Sequence, residues 1–347
     1  MQKTIFITGG HVTPAIAVIE EIRKRKLPWR IVFVGRKNAL EGEKTVSPEY
    51  SEITGMGIPF LSLVAGRITR TVTPFIFLSW LKIPFGFFQA FWYVALYRPK
   101  LVISFGGYVA VPMAIAAAVF RIPVVTHEQT LRLGLANRII SIFAKKVFYS
   151  FVTGLPVRQA LFHPPANPTF KIPKDKPILY ITGGSTGAVS LNERLHPLLK
   201  DMRHTWCIIH QLGQQSHREE LGDTYVTAPY FSTTDVAWIY KHADLVIARA
   251  GANTVWELAA LGKIALLVPL PWSAAEEQRK NAQWLAAKGS AVVLEQRDAT
   301  AERLKQIIDE MIKNKSQRLA AAKELSAHMP RDGAKRMVDE IATMVAA

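Results

Sequence analysis

One short pattern occurs twice in this chain, and it limits the possible folds more than any other feature. Residues 5–10 read Ile-Phe-Ile-Thr-Gly-Gly, and residues 179–184 read Leu-Tyr-Ile-Thr-Gly-Gly. Each copy is an apolar run, typical of a buried strand, that leads into a glycine turn and then a helix. Because the copies lie about half of the 347-residue chain apart, we predict two Rossmann-like domains in tandem.

Strand-like and helix-like segments alternate along both halves, which predicts an α/β fold with a doubly wound parallel sheet in each domain. The predicted strands cover residues 4–8, 30–34, 59–63, 101–104, 124–127 and 146–149, then 178–182, 205–210, 224–228, 244–248, 264–269 and 291–294. The stretch 162–177 is rich in proline and lysine, which is typical of a linker. We therefore predict an N-terminal domain at 1–161, a linker at 162–177, a C-terminal domain at 178–330 and a final helix at 331–347.

The composition favours an anionic partner. The formal charge is +16, from 43 Lys and Arg against 27 Asp and Glu, and such an excess suits nucleotide phosphates or an acidic membrane surface. The basic residues form no single block with interleaved aromatics, so we expect no nucleic acid. The single cysteine, Cys207, fits a reducing cytoplasm, and no Cys/His spacing predicts a metal site. We also expect no signal peptide, since the chain enters a strand at once.

The segment 75–97 is unusually aromatic. It contains Phe75, Phe77, Trp80, Phe85, Phe87, Phe88, Phe91, Trp92 and Tyr93, and it is flanked or interrupted by the basic residues Arg67, Arg70, Lys82, Arg98 and Lys100. This pattern is typical of a surface that dips into a membrane interface. The alternative is a helix packed in the core of a large α/β domain. The uncharged stretch 101–120 is predicted to be strand, glycine turn and buried helix, because Gly106-Gly107 and Pro112 interrupt it.

Three loops of the first half follow predicted strands, at the edge where doubly wound sheets bind ligands. They contain the polar and glycine residues Thr8, Gly9, Gly10, His11, Gly106, Gly107, Tyr108, His127, Glu128 and Gln129. His11, beside a glycine turn, is a candidate general base or anion contact, and a merely structural histidine is the alternative. Glu128 could orient or polarise a hydroxyl.

Two loops of the second half suit a nucleotide sugar. Gly183-Gly184-Ser185 opens a helix, which is typical of a pyrophosphate site. Neither a Walker sequence nor Gly-x-Gly-x-x-Gly is present, so ATP hydrolysis and NAD chemistry lack their signatures. Gln278 and Asn281 fall on one face of a later helix and could bind sugar hydroxyls.

The stretch 249–262, from Arg249 to Gly262, is predicted to be the loop and helix of another βαβ unit. Gly251 would permit a tight turn, and Asn253 or Thr254 would cap the helix. Glu257 could reach a pair of sugar hydroxyls. Alternatively, Thr254 and Glu257 form a capping box, in which Glu257 bonds back to the first turn.

Eight motifs, taken in order, resemble the MurG family of peptidoglycan N-acetylglucosaminyltransferases over nearly the whole chain. They are Gly-Gly-His at 9–11, Phe-Gly-Gly-Tyr at 105–108, His-Glu-Gln at 127–129, Leu-Pro-Val-Arg at 155–158, Gly-Gly-Ser-Thr-Gly-Ala at 183–188, His-Gln at 210–211, Arg-Ala-Gly-Ala-Asn-Thr-Val-Trp-Glu at 249–257, and Gln-Arg-Lys-Asn-Ala at 278–282.

The resemblance implies a GT-B fold, with two Rossmann-like domains facing a cleft and a C-terminal helix that crosses back to the first domain. It implies transfer of N-acetylglucosamine from UDP-GlcNAc to the 4-hydroxyl of the undecaprenyl-linked acceptor lipid I, with inversion, to give lipid II. The protein would act peripherally at the cytoplasmic face of the bacterial plasma membrane. Helix N-termini would stabilise the leaving pyrophosphate, so neither metal nor cofactor is expected to be required.

The resemblance also implies roles for individual residues. Catalysis falls to His11 as the first choice of base and to Glu128 as the second. The donor side would comprise Arg158, Gly183, Gly184, Ser185, Arg249, Gly251, Thr254, Glu257, Gln278 and Asn281. The acceptor side would comprise Thr8, Gly9, Gly10, Gly106, Gly107, Tyr108, His127 and Gln129.

Two departures from the family concern the acceptor side. The family has a Gly-Gly-Thr-Gly-Gly-His run, whereas Phe6-Ile7 directly precede Thr8-Gly9-Gly10-His11 here, so the loop expected to hold the acceptor pyrophosphate is shortened. Thr130 stands where an asparagine usually follows His-Glu-Gln. Two alternatives therefore stay open: another GT-B enzyme such as a UDP-GlcNAc epimerase, which needs no membrane contact, and a UDP-sugar-binding protein without activity.

Overall fold

The computed structural model describes residues 2–38, 46–64, 76–130, 133–172, 176–184, 188–213, 222–273 and 276–346. The chain divides into two compact units, of which unit 1 comprises Met1–Arg158 and Arg331–Ala347 and unit 2 comprises Gln159–Pro330. The first boundary therefore follows Arg158 rather than residue 161. The stretch 162–177 belongs to unit 2, where Thr169 donates two hydrogen bonds to Asp235 and Phe170 packs on Phe231.

Unit 1 is built on a six-stranded parallel sheet of order β3-β2-β1-β4-β5-β6. Its strands are β1 (Lys3–Thr8), β2 (Trp29–Gly35), β3 (Phe60–Ser62), β4 (Leu101–Ser104), β5 (Val124–Glu128) and β6 (Lys146–Tyr149). Its first helices are α1 (Val12–Lys24), α2 (Pro48–Gly55), α3 (Ile76–Tyr97), α4 (Ala110–Val119), α5 (Leu135–Phe143) and α6 (Ser150–Thr153).

Unit 2 repeats the same topology. Its strands are β7 (Ile178–Thr182), β8 (Cys207–Gln211), β9 (Tyr225–Ala228), β10 (Ala243–Ala248), β11 (Ala265–Leu267) and β12 (Ala291–Val293), in the order β12-β11-β10-β7-β8-β9. Its helices are α7 (Val189–Met202), α8 (Thr233–His242), α9 (Ala252–Ala260), α10 (Glu277–Ala287), α11 (Ala301–Lys313) and α12 (Lys315–His328). In both units the first strand lies beside the second and the fourth, which confirms two doubly wound, Rossmann-like domains.

Strand side chains point alternately to the two faces of a sheet, so each sheet buries an apolar layer on both sides. In unit 1, Ile5 and Ile7 belong to the core under α1, whereas Phe6 belongs to the core under α3 and α4. In unit 2, Leu179 and Ile181 pack with α7 and α11. The apolar runs of the sequence are thus strands covered by helices on both faces.

The last helix, α13 (Gly333–Ala346), returns to unit 1 and packs on α1. Met337 and Ile341 are buried in the core under α1. At its polar edge, Arg25 donates to Asp339 at 2.6 Å and to the carbonyl of Lys335 at 3.0 Å. The helix therefore completes the layer that covers one face of the first sheet.

The two apolar stretches of the sequence have different structures. Residues 101–120 form β4, a glycine turn and the buried helix α4, as predicted. Residues 76–97 form α3, in which Ala90 and Val94 are buried while Phe88 and Trp92 on the other side are exposed. Arg67, Arg70 and Phe75 lie outside the described residues. No described helix is long and apolar enough to cross a membrane.

Candidate functional site

The three polar loops of unit 1 come together beyond the carboxyl ends of β1, β4 and β5. The register pairs Thr8 with Ser104 and Ser104 with Thr126, so β1 and β4 end at one level and β5 continues two residues further, to Glu128. The Gly10 N–H donates to the carbonyl of Gly106 at 2.9 Å. A Cβ on Gly9 would lie 2.8 Å from the backbone of Phe105, so the two loops approach as closely as glycine allows.

His11 is the N-cap residue of α1, and its side chain makes no capping hydrogen bond. His11 is an exposed residue. Desolvation by the surrounding protein nevertheless lowers the pKa of its imidazole, and the nearby Glu128 carboxylate opposes this shift. A lowered pKa keeps the imidazole neutral at neutral pH, which is the form that accepts a proton. His11 is therefore a neutral imidazole at the carboxyl end of β1.

Glu128 is buried, and both of its carboxylate oxygens are occupied. Oε1 accepts from the N–H and the hydroxyl of Thr130 at 2.9 and 2.7 Å. Oε2 accepts from the Gly134 N–H at 3.0 Å and from Asn137 Nδ2 at 2.8 Å. These bonds fix the loop after β5 and leave Glu128 less suited than His11 to remove a proton from a ligand.

The other predicted residues of these loops differ in what they offer a ligand. His127 is buried with its Nε2 3.3 Å from Ser150 Oγ, and burial together with the charge of His11 lowers its pKa to about 3, against a backbone hydrogen bond with Gly154. The His127 imidazole is therefore neutral at neutral pH. By contrast, Thr8 Oγ1 and Gln129 Oε1 are buried and have no hydrogen-bond partner among the described residues. The partly exposed ring of Tyr108 faces the loop after β2.

Asn137 is a site residue that sequence reasoning missed. Besides binding Glu128, its Nδ2 donates to the His127 carbonyl at 3.2 Å and its Oδ1 accepts from Thr126 Oγ1 at 2.9 Å. A Cβ on Gly106 would lie 3.0 Å from Nδ2, so Asn137 also packs on the loop after β4. The signal available was a polar residue three positions before Ile140, on the buried face of α5.

Arg36 and Glu49, at the end of β2 and the start of α2, were missed as well. The guanidinium of Arg36 lies 5.2 Å from the ring centre of Tyr108. Glu49 is buried, which raises its pKa to about 7, although attraction to Arg36 and a hydrogen bond from the Arg36 backbone lower it. The Arg36 guanidinium and the Glu49 carboxyl thus lie together beside the loops described above.

In unit 2, the loop after β7 and the first turn of α9 lie together. Thr182 pairs with Ala248 of β10, and a Cβ on Gly184 would be 3.9 Å from Thr254 Oγ1. Gly184 has φ +77° and its carbonyl accepts from Gln211 Nε2 at 3.1 Å. Gly183 and Gly184 therefore border the start of α9 as predicted, while Ser185 lies outside the described residues.

The predicted start of α9 was wrong in detail. Its N-cap is Gly251, so neither Asn253 nor Thr254 caps the helix, and no side chain does. Gly251 has φ −61° and open space around its missing Cβ, so the turn does not require glycine. Glu257 forms no capping box with Thr254; its Oε2 accepts from the Tyr240 hydroxyl at 3.3 Å.

Arg249 and Asn281, both predicted to bind a donor, also hold this loop in place. Arg249 is buried and donates to Ser190 Oγ at 2.7 Å, Gln296 Oε1 at 2.6 Å and the Val268 carbonyl at 3.0 Å. Burial, followed by repulsion from a neighbouring arginine, lowers its pKa to about 10, so it stays charged at neutral pH. Asn281 Nδ2 donates to the Ala250 carbonyl at 3.2 Å.

Two further residues predicted on the donor side, Gln278 and Arg158, have different surroundings. Gln278 accepts from the Leu270 N–H at 3.0 Å, which directs its amide nitrogen away from that contact. Arg158 is the last residue of the first segment of unit 1, where its charge counteracts the raised pKa that burial gives Glu20 and Glu52. Among the described residues, no group of three or more His, Cys, Asp or Glu side chains could hold a metal ion.

Comparison with known proteins assigns both units to one family. The model of the glycosyltransferase family 28 N-terminal domain matches residues 8–149, and that of the family 28 C-terminal domain matches residues 178–337.

Individual relatives agree over most of the chain. The UDP-N-acetylglucosamine–N-acetylmuramyl-(pentapeptide) pyrophosphoryl-undecaprenol N-acetylglucosamine transferase of Haemophilus ducreyi is 36% identical and covers 91% of each chain. That of Treponema denticola is 32% identical and covers 83% of this chain and 81% of its own. The crystal structure of Acinetobacter baumannii MurG is 28% identical, with a TM-score of 0.72 over 98% of this chain and 99% of its own.

The Glu49 geometry predicts a pH-dependent stability. Because the folded pKa is about 7 against an ordinary 4.5, folding favours the protonated carboxyl, and stability falls as the pH rises through this window. We expect Glu49→Gln to match the wild type near pH 4 and to exceed its free energy of unfolding by roughly 2–3 kcal/mol at pH 8. Urea unfolding at both pH values measures this. Glu276→Gln, at an exposed carboxylate, is the control, and equal gains at both pH values would contradict burial as the cause.

Proposed function

Because this chain belongs to the family of UDP-N-acetylglucosamine–N-acetylmuramyl-(pentapeptide) pyrophosphoryl-undecaprenol N-acetylglucosamine transferases, we propose that it transfers N-acetylglucosamine from UDP-GlcNAc to the lipid-linked acceptor of peptidoglycan synthesis. The observation that carries the proposal for this chain's own residues is the position of His11. A neutral histidine at the carboxyl end of β1, next to a helix N-terminus, is suited to take a proton from a sugar hydroxyl.

The reaction that follows is a single displacement. His11 removes the proton from the 4-hydroxyl of the acceptor's N-acetylmuramyl group, and the oxygen attacks the anomeric carbon of N-acetylglucosamine. The bond between that carbon and the UDP oxygen breaks, its electron pair leaves with UDP, and the configuration inverts to β. Glu128 holds the neighbouring loop and, by its negative charge, stabilises the protonated imidazole.

Unit 2 supplies the donor site in this proposal. The free N–H groups of the first turn of α9 and the Gly183-Gly184 backbone stabilise the charge on the departing diphosphate. Glu257, in the second turn of α9, accepts hydrogen bonds from the ribose hydroxyls. The amide nitrogen of Gln278 donates to the N-acetylglucosamine hydroxyls.

We further propose that unit 1 docks on the cytoplasmic face of the bacterial plasma membrane through an apolar face on α3, α4 and α5. Helix α4 packs against both α3 and α5. The ring centres of Phe91 on α3 and Phe120 at the end of α4 are 6.1 Å apart. The exposed apolar residues of this face are Phe85, Phe88, Trp92, Leu96, Val119, Phe120, Leu135, Ile142 and Phe143. The exposed basic residues on or beside the same helices are Arg98, Lys100, Arg121, Arg138 and Lys145.

Such a combination inserts apolar side chains at the acyl boundary while basic side chains bind anionic headgroups. The aromatic residues on α3 follow one stripe, because Phe85, Phe88 and Trp92 recur at helical spacing. A water-soluble partner protein is the alternative occupant of this face. The lipid-linked acceptor favours the membrane, since an enzyme that uses it must reach the bilayer surface.

A transfer assay tests the main proposal and both alternatives. With UDP-GlcNAc and a short-chain lipid I analogue, we expect release of UDP together with a disaccharide product. Release of UDP with a free epimerised sugar would support the epimerase. Tight UDP binding without turnover would support a binding protein.

We expect His11→Ala to lower kcat by about 10²–10⁴-fold, because the acceptor hydroxyl loses its base, and to leave the KM for UDP-GlcNAc within about twofold. Steady-state kinetics of the transfer assay measure both constants. His328→Ala, at an exposed histidine of α12, is the control. An unchanged kcat would remove His11 as the base.

We expect Glu257→Gln to weaken UDP binding by about tenfold, because a neutral amide is a weaker acceptor for the two ribose hydroxyls. The free energy of unfolding should change by less than about 1 kcal/mol, since no cap is lost. Calorimetric titration with UDP and thermal unfolding measure the two effects. Tyr240→Phe, which removes only the donor to Glu257, is the control. If Tyr240→Phe weakens UDP binding as much as Glu257→Gln does, Glu257 contributes to UDP binding by packing alone.

We expect the double variant Phe88→Ser, Trp92→Ser to bind vesicles of anionic phospholipid at least about tenfold more weakly. The variant lacks two exposed aromatic side chains that insert into the bilayer in this proposal. Sedimentation with the vesicles measures the partition. The matched control is Trp272→Ser, which removes an equally exposed aromatic side chain from unit 2. Equal binding by the double variant and the wild type would refute the membrane face.

A further inference from the structure

The connection between β1 and α1 is too short to surround a diphosphate with backbone donors. Only Gly9, Gly10 and His11 separate the strand from the helix, whereas residues 183–188 separate β7 from α7 in unit 2. The N–H of Gly10 already donates to the carbonyl of Gly106. Anion sites of this kind depend on successive N–H groups that face the ligand. The unit 1 turn therefore offers fewer of them than its counterpart.

A cation lies where the missing donors would be. β1 is flanked by β2 and β4, with Thr8 paired to Val34 on one side and to Ser104 on the other. Arg36 extends from the end of β2, and Tyr108 belongs to the loop after β4. Since the guanidinium lies 5.2 Å from the Tyr108 ring centre, the contact bridges the two neighbours of β1 just beyond its carboxyl end.

Glu49 holds Arg36 in position. The Glu49 carboxylate is buried against Gly35, accepts a hydrogen bond from the Arg36 backbone and attracts the Arg36 guanidinium. The Tyr108 ring makes a cation–π contact with the same guanidinium. An arginine held in this way loses little side-chain freedom when an anion binds. Nearby, the buried Thr8 Oγ1 has no partner among the described residues, so a hydroxyl donor is also unused there.

We propose that Arg36 binds the diphosphate of the lipid-linked acceptor and replaces the backbone donors that the short β1–α1 turn lacks. The inference rests on the proposed function, since that function supplies an acceptor carrying a pyrophosphoryl group. A guanidinium binds phosphate oxygens through two parallel hydrogen bonds, which a point-charge ammonium does not reproduce. The diphosphate then lies beside His11, which places the attached N-acetylmuramyl sugar at the base. Glu49 is a positioning residue in this arrangement.

Acceptor kinetics test the proposal. We expect Arg36→Ala to raise the KM for a short-chain lipid I analogue by at least about tenfold, with the KM for UDP-GlcNAc within about twofold. Arg36→Lys keeps the charge but not the paired geometry, so an intermediate rise of about threefold is expected. The control is Lys37→Ala, which removes the same charge one residue away, where the ammonium lies over Tyr50 rather than Tyr108.

A binding measurement separates this inference from the proposed function. Geranyl diphosphate is titrated into the full chain with unit 2 saturated by UDP, and geranyl monophosphate serves as the comparison. We expect Arg36→Ala to weaken the diphosphate at least about tenfold and the monophosphate less, with Lys37→Ala unchanged. Equal affinity of Arg36→Ala and wild type overturns the inference, even if transfer occurs. Absence of transfer by the wild type overturns the proposed function, while an Arg36-dependent diphosphate affinity would still stand.

Discussion

The contact between two glycine turns, after β1 and after β4, determines the geometry of the unit 1 site. Gly9 lies on the backbone of Phe105, and a Cβ on Gly107 would be 2.9 Å from the Gly10 nitrogen. Only backbones without side chains approach this closely. The contact places the N-terminus of α1 directly at the sheet edge and brings His11 near Glu128. Without this contact, His11 and the loops around it would lie farther apart.

Around this contact, buried polar side chains hold the loops in place. Asn137 connects the ends of β4 and β5 in unit 1, and Arg249 connects β10, β11, α7 and the turn at Gln296 in unit 2. Neither residue is positioned by apolar packing alone. Buried polar groups that make several hydrogen bonds favour one arrangement, because the alternatives leave donors or acceptors unpaired. The catalytic and binding groups thus rest on networks whose members do not need to touch a ligand.

The fold was largely predictable because it depends on local apolar runs and their period. All the predicted strands are present, and the repeated Ile-Thr-Gly-Gly element marks the first strand of each sheet. The strand ends were predictable for the same reason, and so His11, Glu128 and Gly184 were found. What residues do at those ends was harder to predict. The hydrogen bonds by which Arg249 and Asn281 hold their loop were not predicted, because a motif shows which residues occur and not which atoms they bond. Arg36 was missed because its partner, Tyr108, is separated from it by two strands in sequence, and Glu49 was missed because its burial beside Arg36 depends on the tertiary structure.

The two units solve a similar electrostatic problem in different ways. In the proposed function, the start of α9 in unit 2, which has no side-chain cap, supplies backbone N–H groups to the departing diphosphate. In unit 1, the three-residue connection uses its backbone for packing, so positive charge has to come from a side chain. A side-chain cation in a partly buried place needs its own support, and the Glu49 carboxylate and the Tyr108 ring provide it. The raised pKa of Glu49 then follows from the use of an arginine in place of backbone N–H donors. A carboxylate that fixes this arginine behind the sheet edge is itself buried, and burial raises its pKa.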